Sequence, residues 1–520
     1  MNFWSKLTKT KSPQLIVDEA SHGSKLKKSL GVLDLIAFGI GATIGSGIFA
    51  LVGQAAAGSN ALIVQSSNIL NTPLVNLFLH MSAGRLPAGP SIVISFVLAA
   101  IACGFAALCY AELASMIPIS GSAYTYAYAS LGQFAAWVIG WNLILEYVVG
   151  NIAVSISWSQ HFINVLLELF NIKMPLFLTT NLTDAMIKLK AIEGHHELAN
   201  AYSSINLPVV FGHPIAFNLP ALAIVTVITI ILVLGVQESA TINKIILAVT
   251  ILAILYFIGY GSTQINPSNW QPFAPGGVSG ILSASAIVFF SFIGFDAVSS
   301  MAEETKNPQR NLPLGMIGSL AVCTIIYSLV AIVLTGMKPF STFTNDAAPL
   351  ASAMNICHNH FGSLLISLGA LSSMTSVLLV FQLGLPRIIM VIARDGLLPA
   401  FLAKLHDRFK TPHVSTILMG LVIAFYAITM DIGDAAELTN IGTLFVFALV
   451  CLGVLILRKS ANNTTRGFTC PMVPVIPVLG ILTCSLLMLS LSAKTWLYYC
   501  IYLILGIIVY FAYGYRKNQD

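Results

Sequence analysis

Charge is what this sequence has least of. Of its 520 residues, 25 are Lys or Arg and 20 are Asp or Glu, so 45 in all, or 9%, carry a formal charge. A soluble domain is about a quarter charged, and the shortage excludes a soluble enzyme, a disordered chain and a nucleic-acid binder. Cysteine is sparse and unpatterned. Of the eight, Cys103, Cys109, Cys323, Cys451, Cys484 and Cys500 fall inside apolar runs without metal-ligand spacing, so they read as small packed hydrophobes. No histidine occupies the centre of an apolar run: His161 falls at the end of one, and His358 and His360 precede another. An intramembrane enzyme, which needs a deep nucleophile–base pair or metal cluster, is therefore not expected.

What the sequence does have is hydrophobic length, at 57% hydrophobic residues. A helix crossing ~30 Å of hydrocarbon takes about 20 mostly apolar residues. Runs of that kind fall near 32–53, 91–115, 133–160, 218–235, 243–262, 280–300, 313–336, 362–391, 413–430, 438–457, 471–490 and 495–514. The reading is an all-α membrane protein with twelve spans. The first run has no small-residue cleavage signature behind it, so it is expected to be a span and not a signal peptide. With the N-terminus in the cytoplasm, only Arg85, Lys173, Lys188, Lys190, Lys338 and Lys494 fall outside, and the other 19 of the 25 basic residues fall inside. That bias predicts both termini to be cytoplasmic, and it explains the net charge of +5 without any anionic partner.

Two outer segments are long, 54–90 and 166–217. The second holds Glu193, His195, His196 and Glu197, which read as solvated loop residues before a metal site. The sequons at Asn181 and Asn462 would face opposite sides of the membrane, so neither carries weight.

Two runs are not simple spans. The first contains Gly39, Gly41, Gly45 and Gly47 within nine residues. Glycine costs roughly 1 kcal/mol against alanine in a helix interior. Close helix packing also uses glycine, but Gly45-Ser46-Gly47 is dense enough to unwind the helix. The sixth run sets Gly294 beside Asp296, and a mid-span carboxylate costs about 2.5–3.5 kcal/mol unless it faces a cavity or partner. Breaks five helices apart suit a 5+5 inverted repeat with a site between the repeats. The repeats would cover 32–262 and 263–457, with a tail at 1–31 and two additional helices in 458–520.

Such breaks suit a zwitterion. Amides at the start of the second half-helix, from Ser46 and Gly47 with the Ser46 hydroxyl, can hold a carboxylate. Carbonyls freed near Thr43, Phe290 and Ile293 can accept from an ammonium. Glu146 is the other deep acid, while Asp34 and Glu112 fall near span ends where water reaches them. Without a deep Lys or Arg nearby, Glu146 and Asp296 are candidates for a proton carrier or a counter-charge. A protonated Glu146 in a helix–helix hydrogen bond is the plainer alternative.

These residues bear a resemblance. From about 30 to 515 the chain is similar to bacterial members of the cationic amino acid transporter family, within the amino acid–polyamine–organocation superfamily. The likeness rests on Ile44 to Phe49, Cys109 to Ala114, Pro118 to Tyr124, Phe292 to Asp296, Glu303 to Pro308, Asp395 to Pro399 and Lys410 to Pro412, in order and at matching spacing. It implies broken helices one and six, alternating-access transport of amino acids, and a location in the cytoplasmic membrane of a bacterium. It implies a substrate site at Thr43, Ile44, Gly45, Ser46, Gly47, Glu146, Phe290, Ile293 and Asp296, with Phe381 and Gln382 near the substrate side chain. Glu303, Glu304 and Arg394 would lie at a cytoplasmic gate, with a solvated inner loop as the alternative.

One departure concerns coupling. Many bacterial relatives carry a lysine about twelve residues after the Glu-Ser of span five. Here Glu238-Ser239 leads to Thr250. Thr250, Thr375 and Ser376 join Glu146 and Asp296 as coupling candidates, the ion being a proton or sodium. No cofactor, metal, nucleic acid or obligate protein partner is expected, only substrate and bilayer. Cationic substrates are the first expectation. A facilitator or exchanger of small neutral amino acids is the alternative, followed by a sensor or channel that has lost coupled transport.

Overall fold

The computed structural model describes residues 10, 30–58, 85–117, 122–181, 208–210, 213–214, 216–235, 240–344, 346, 348–409, 411–460 and 467–517. Outside these lie the His195–His196 pair, most of both inserts, Pro118 to Gly121, Glu238-Ser239, Lys410 and the Asn462 sequon.

Apolar sequence with obligatory backbone pairing leaves helices as the way to cross hydrocarbon, and helices dominate the described residues. Eight are long and apolar enough to span, one bent pair forms a ninth such unit, and three shorter apolar helices accompany them. In chain order they are α1 Val32–Thr43 and α2 Val52–Ala57, joined by a π-helical turn Gly47–Leu51; then α3 Ile92–Met116, α4 Ser122–Ser130, α5 Gln133–Phe170 and α6 Leu219–Val233. There follow α7 Ala240–Ser262, α8 Gly277–Val288, α9 Pro308–Met337, α10 Pro349–Ile356, α11 His360–Arg394, α12 His413–Ala427, α13 Ile432–Ser460, α14 Val475–Leu489 and α15 Ala493–Val509. A two-stranded antiparallel hairpin, β1 Val209–Val210 and β2 His213–Pro214, precedes α6.

Both expected breaks are present. α1 meets Gly47–Ala57 at 45°. After α8 the chain tightens into a 3-10 turn Phe289–Phe292, opens at Ile293, and resumes as a 3-10 stretch Phe295–Glu304. Gly294 makes the turn at φ +115°, a conformation that costs an L side chain roughly 1–2 kcal/mol. The two N-terminal approaches are tied together as well. Leu30 N donates to the Glu304 carbonyl at 3.1 Å, and Lys306 N donates to the Leu30 carbonyl at 2.9 Å, so the residue before α1 is bonded to the end of Phe295–Glu304.

α5 is the axis of the bundle. It runs ten residues beyond the expected span end, and it packs against α11 and α13 among others. α15 is fastened to it by aromatic side chains: Trp141 stacks on Tyr502 at 5.0 Å, Trp137 Nε1 donates to the Gly506 carbonyl at 2.9 Å, and Tyr499 donates to Asn142 at 2.8 Å.

Three polar positions differ from the sequence expectation. Glu112, expected to meet water, is buried, because Arg458 grips it through Nε at 3.0 Å and Nη2 at 2.7 Å while Cys470 N donates at 2.8 Å. Glu437 stands one residue before the apolar run 438–457 and so does not read as a deep acid in the sequence. It is 2% exposed and pairs with Arg85 Nε at 2.6 Å. Ser492 and Thr495 donate to its other oxygen. Burial works against the Arg85 charge, but Glu437, Asp434 and Asp431 more than offset it and hold the guanidinium above the ordinary arginine range. Third, His161 is enclosed within α5 and fully buried.

Candidate substrate site

α1 ends because Ile44 turns extended, at ψ 109°, and helical bonding resumes only with Gly47. The first amides of the new half-helix have no preceding turn to bond to, and the helix dipole adds positive character there. The Ser46 hydroxyl, 1% exposed, has no hydrogen-bond partner, and neither does the buried Ser291 hydroxyl across from it. Two glycines set that approach. A Cβ on Gly47 would stand 2.5 Å from Ser291 Cα, and one on Gly294 would stand 2.5 Å from the Ala42 carbonyl oxygen. Each break is thus packed on the other's backbone, and no side chain larger than hydrogen fits at either contact.

Between the breaks lies a small cavity lined by Ala42, Thr43, Gly45, Ser46, Gly47, Val154, Phe290, Ile293, Val377 and Phe381. Its free space is on the order of one water molecule, so an amino acid fits only when the half-helices or the Val377 and Phe381 side chains give way. The lining combines backbone and hydroxyl groups of the two breaks with the hydrocarbon side chains of Val154, Ile293, Val377 and Phe381, the last seated where Gly150 leaves room: a Cβ there would be 2.9 Å from its ring.

The freed carbonyls are partly claimed by the protein. Tyr327 donates to the Thr43 carbonyl at 3.1 Å, and the Ser373 hydroxyl donates to Ile44 O. A carbonyl has two lone pairs, so each keeps one for a ligand. Asn440 of α13 donates to the Ala286 and Ile287 carbonyls at 2.7 and 3.1 Å, satisfying the end of α8 at its break. Sequence reading missed Asn440; the signal was a lone amide within an apolar run.

The remaining expected residues are placed as follows. Asp296 Oδ1 accepts from Gly294 N at 3.3 Å and so caps the Phe295–Glu304 stretch, where the dipole favours its negative charge. Glu146 lies two turns from Val154 along α5 and outside the cavity lining. It stands near Thr443 and within electrostatic reach of Asp296, and its Oε2 is buried without a hydrogen-bond partner. Gln382 turns from the cavity and donates to Thr229 of α6 at 2.6 Å. Thr250 donates to the Ile246 and Gly369 carbonyls at 2.9 and 3.3 Å. Thr375 donates to the Leu371 carbonyl and accepts from Trp158 Nε1 at 3.0 Å. Ser376, on the same helix, is buried. At the bundle's other end Arg394 closes α11, and the Asp395 carboxylate after it accepts from Tyr124 at 2.6 Å. The Glu303 side chain lies outside the described residues.

A bundle of membrane-length apolar helices, two of them broken and packed break to break around unpaired polar groups, defines a multi-pass solute transporter. The chain belongs to the amino acid permease family, whose sequence profile matches residues 30–510. It is 41% identical to a branched-chain amino acid permease of Bacillus subtilis (strain 168) over 509 residues, covering 98% of this chain and 97% of that one. It is 38% identical to a methylthioribose transporter of the same bacterium, covering 98% of each. It is also 34% identical to the vacuolar cationic amino acid transporter 4 of Arabidopsis thaliana over 464 residues, 88% of this chain and 67% of that one. These relatives are transporters and not enzymes.

Proposed function

We propose that this permease carries small apolar amino acids, branched aliphatic ones foremost, across the cytoplasmic membrane of a bacterium with both termini inside. The observation that carries this reading is the cavity lining, in which Val154, Ile293, Val377 and Phe381 offer hydrocarbon and no residue bears a charged side chain. A lysine or arginine side chain would need a carboxylate there. Glu146 is eight residues down α5 from Val154, about 12 Å at helical rise. This reading prefers the neutral substrate class of the alternative to the cationic substrates of the first expectation while keeping the latter's coupled transport, and the branched-chain name of the 41% identical relative supports it. The carboxylate end is assigned to Ser46 and Gly47, and the ammonium end to the carbonyls of Thr43, Phe290 and Ile293.

The coupling ion in this reading is a proton carried by Glu146. Its carboxyl has an unpartnered oxygen, whereas Asp296 already serves as a helix cap.

The test is uptake of labelled leucine, alanine and arginine into proteoliposomes, with and without an inward proton gradient, beside Glu146→Gln. Saturable leucine uptake, stimulated by the gradient, indifferent to sodium and unstimulated in the variant, is expected. Arginine transported in preference to leucine would overturn the substrate assignment. Leucine bound but never moved would make the chain a sensor.

A further inference from the structure

Seven residues along α5 from the cavity-lining Val154 stands His161. Seven residues turn a helix by about 700°, within ~20° of two full turns, and rise about 10 Å. The imidazole therefore stands over the cavity on the same face of α5, toward the face of the bundle opposite the termini. It is fully buried. Its lid is Phe49, three residues past Ser46 on the π-helical turn, meeting the imidazole edge to face at 6.0 Å and 81°. The Phe49 main chain interacts with the ring, yet neither ring nitrogen has a hydrogen bond. Apart from that main-chain group the polar ring has no well-formed hydrogen bond in a dry interior, an arrangement that native interiors rarely tolerate without a use.

No counter-charge is at hand. The stretches packed on the Phe49 turn, which are α8, Phe289–Phe292 and α10, contain no charged residue, and α6, which packs on α5, contains none either. On α5 and α11 the charged groups toward this end are Glu168 and His360, paired with each other at 3.3 Å. On α13 and its lead-in they are Asp431, Asp434 and Glu437, engaged with Arg85 and Lys494. The segment from Ile48 to Val52 is buried throughout, so nothing reaches the cavity past His161 from that face unless the half-helix swings away.

We propose that His161 and Phe49 form the outer gate of the substrate cavity, with His161 the gate residue that is dry when the gate is shut and hydrated when it opens. A charged group without a partner is costly to bury, so the shut gate holds a neutral imidazole and an imidazolium keeps it open. Acid at the outer face therefore slows the closing step of each cycle. This proposal rests on the chain being a working permease with its outer face opposite the termini.

The test is leucine exchange in proteoliposomes at equal pH on both sides, so that no proton gradient drives it, scanned from about pH 7.5 to 5.5 across the imidazole range. Wild-type exchange is expected to fall about fivefold or more toward acid, as a kcat and not a KM effect. His161→Phe, which fills the same space without a titrating group, is expected to change less than about twofold. Identical profiles in the two proteins would overturn the gate. A wild type that exchanges no leucine at any pH would instead sink the substrate reading. If His161→Phe fails to fold, His161→Cys in a background with Cys357→Ser and Cys500→Ser decides, since these are the two cysteines that are not buried. A membrane-impermeant maleimide added outside should label it during exchange, and absence of labelling while exchange runs would likewise overturn the gate.

Discussion

At the scale of single residues, the site is made by what is missing from Gly47 and Gly294. The strain of a side chain at φ +115° and the approach to the Ala42 carbonyl are independent costs, so Gly294→Ala should lose at least the roughly 1–2 kcal/mol of the backbone term. The measurable outcome is a melting temperature several degrees lower in detergent, with transport lost. Val154 bears on selectivity in a different way. Removing two methyls from the apolar lining should relax the preference for leucine, since one methylene in such a pocket is worth about 1–3 kcal/mol. Competition assays on Val154→Ala should show phenylalanine gaining and leucine losing by about tenfold relative to each other; an unchanged ranking would place the side-chain end elsewhere.

The broken helices are elements that need help from outside themselves, and the help comes from α9, α11 and α13. Asn440 takes the Ala286 and Ile287 carbonyls, Tyr327 the Thr43 carbonyl, and Ser373 the Ile44 carbonyl. Asn440→Leu removes the side-chain donor shared by two buried carbonyls, at about 0.5–1.5 kcal/mol for each hydrogen bond lost. Its unfolding midpoint should fall accordingly, whereas Asn440→Gln, which keeps the donor, should fall less. The breaks themselves were legible in the sequence, because Gly45-Ser46-Gly47 and Gly294 with Asp296 contradict a simple apolar span. Their partners were not. Asn440, Tyr327 and Ser373 are 153 to 329 residues from the carbonyls they meet, and no local pattern announces such pairing. The same limit applied to Glu112 and Glu437, whose counter-charges Arg458 and Arg85 lie 346 and 352 residues away in sequence. Gln382 had the polar character of a contact residue, but only packing could show that it faces Thr229.

Over the whole molecule, the ion cluster around Glu437 gathers the segment at Arg85, the start of α13 and the start of α15. Arg85→Ala strands a carboxylate that is 2% exposed, and breaking a buried pair from one side costs about 3–5 kcal/mol. Stability should drop markedly in a thermal melt, and the double variant with Glu437→Gln should recover much of it. Equal stability of single and double variants would show that the pairing is idle. The family and the all-helical architecture were within reach of the sequence because ordered motifs and apolar run length are properties of the chain alone. Substrate class was not, because it depends on which side chains close the cavity, and Val154, Ile293, Val377 and Phe381 come to it from separate parts of the chain.

Glu146, Val154 and His161 all belong to the single helix Gln133–Phe170. Three stations on one rod keep their spacing whatever the rest of the protein does, so any change in what they face has to be made by the segments opposite. A genetic screen would expose that asymmetry. Second-site suppressors of a damaged Glu146 or His161 should collect in the broken segments, around Phe49, Asp296 and their supports, and should be rare along the rod itself.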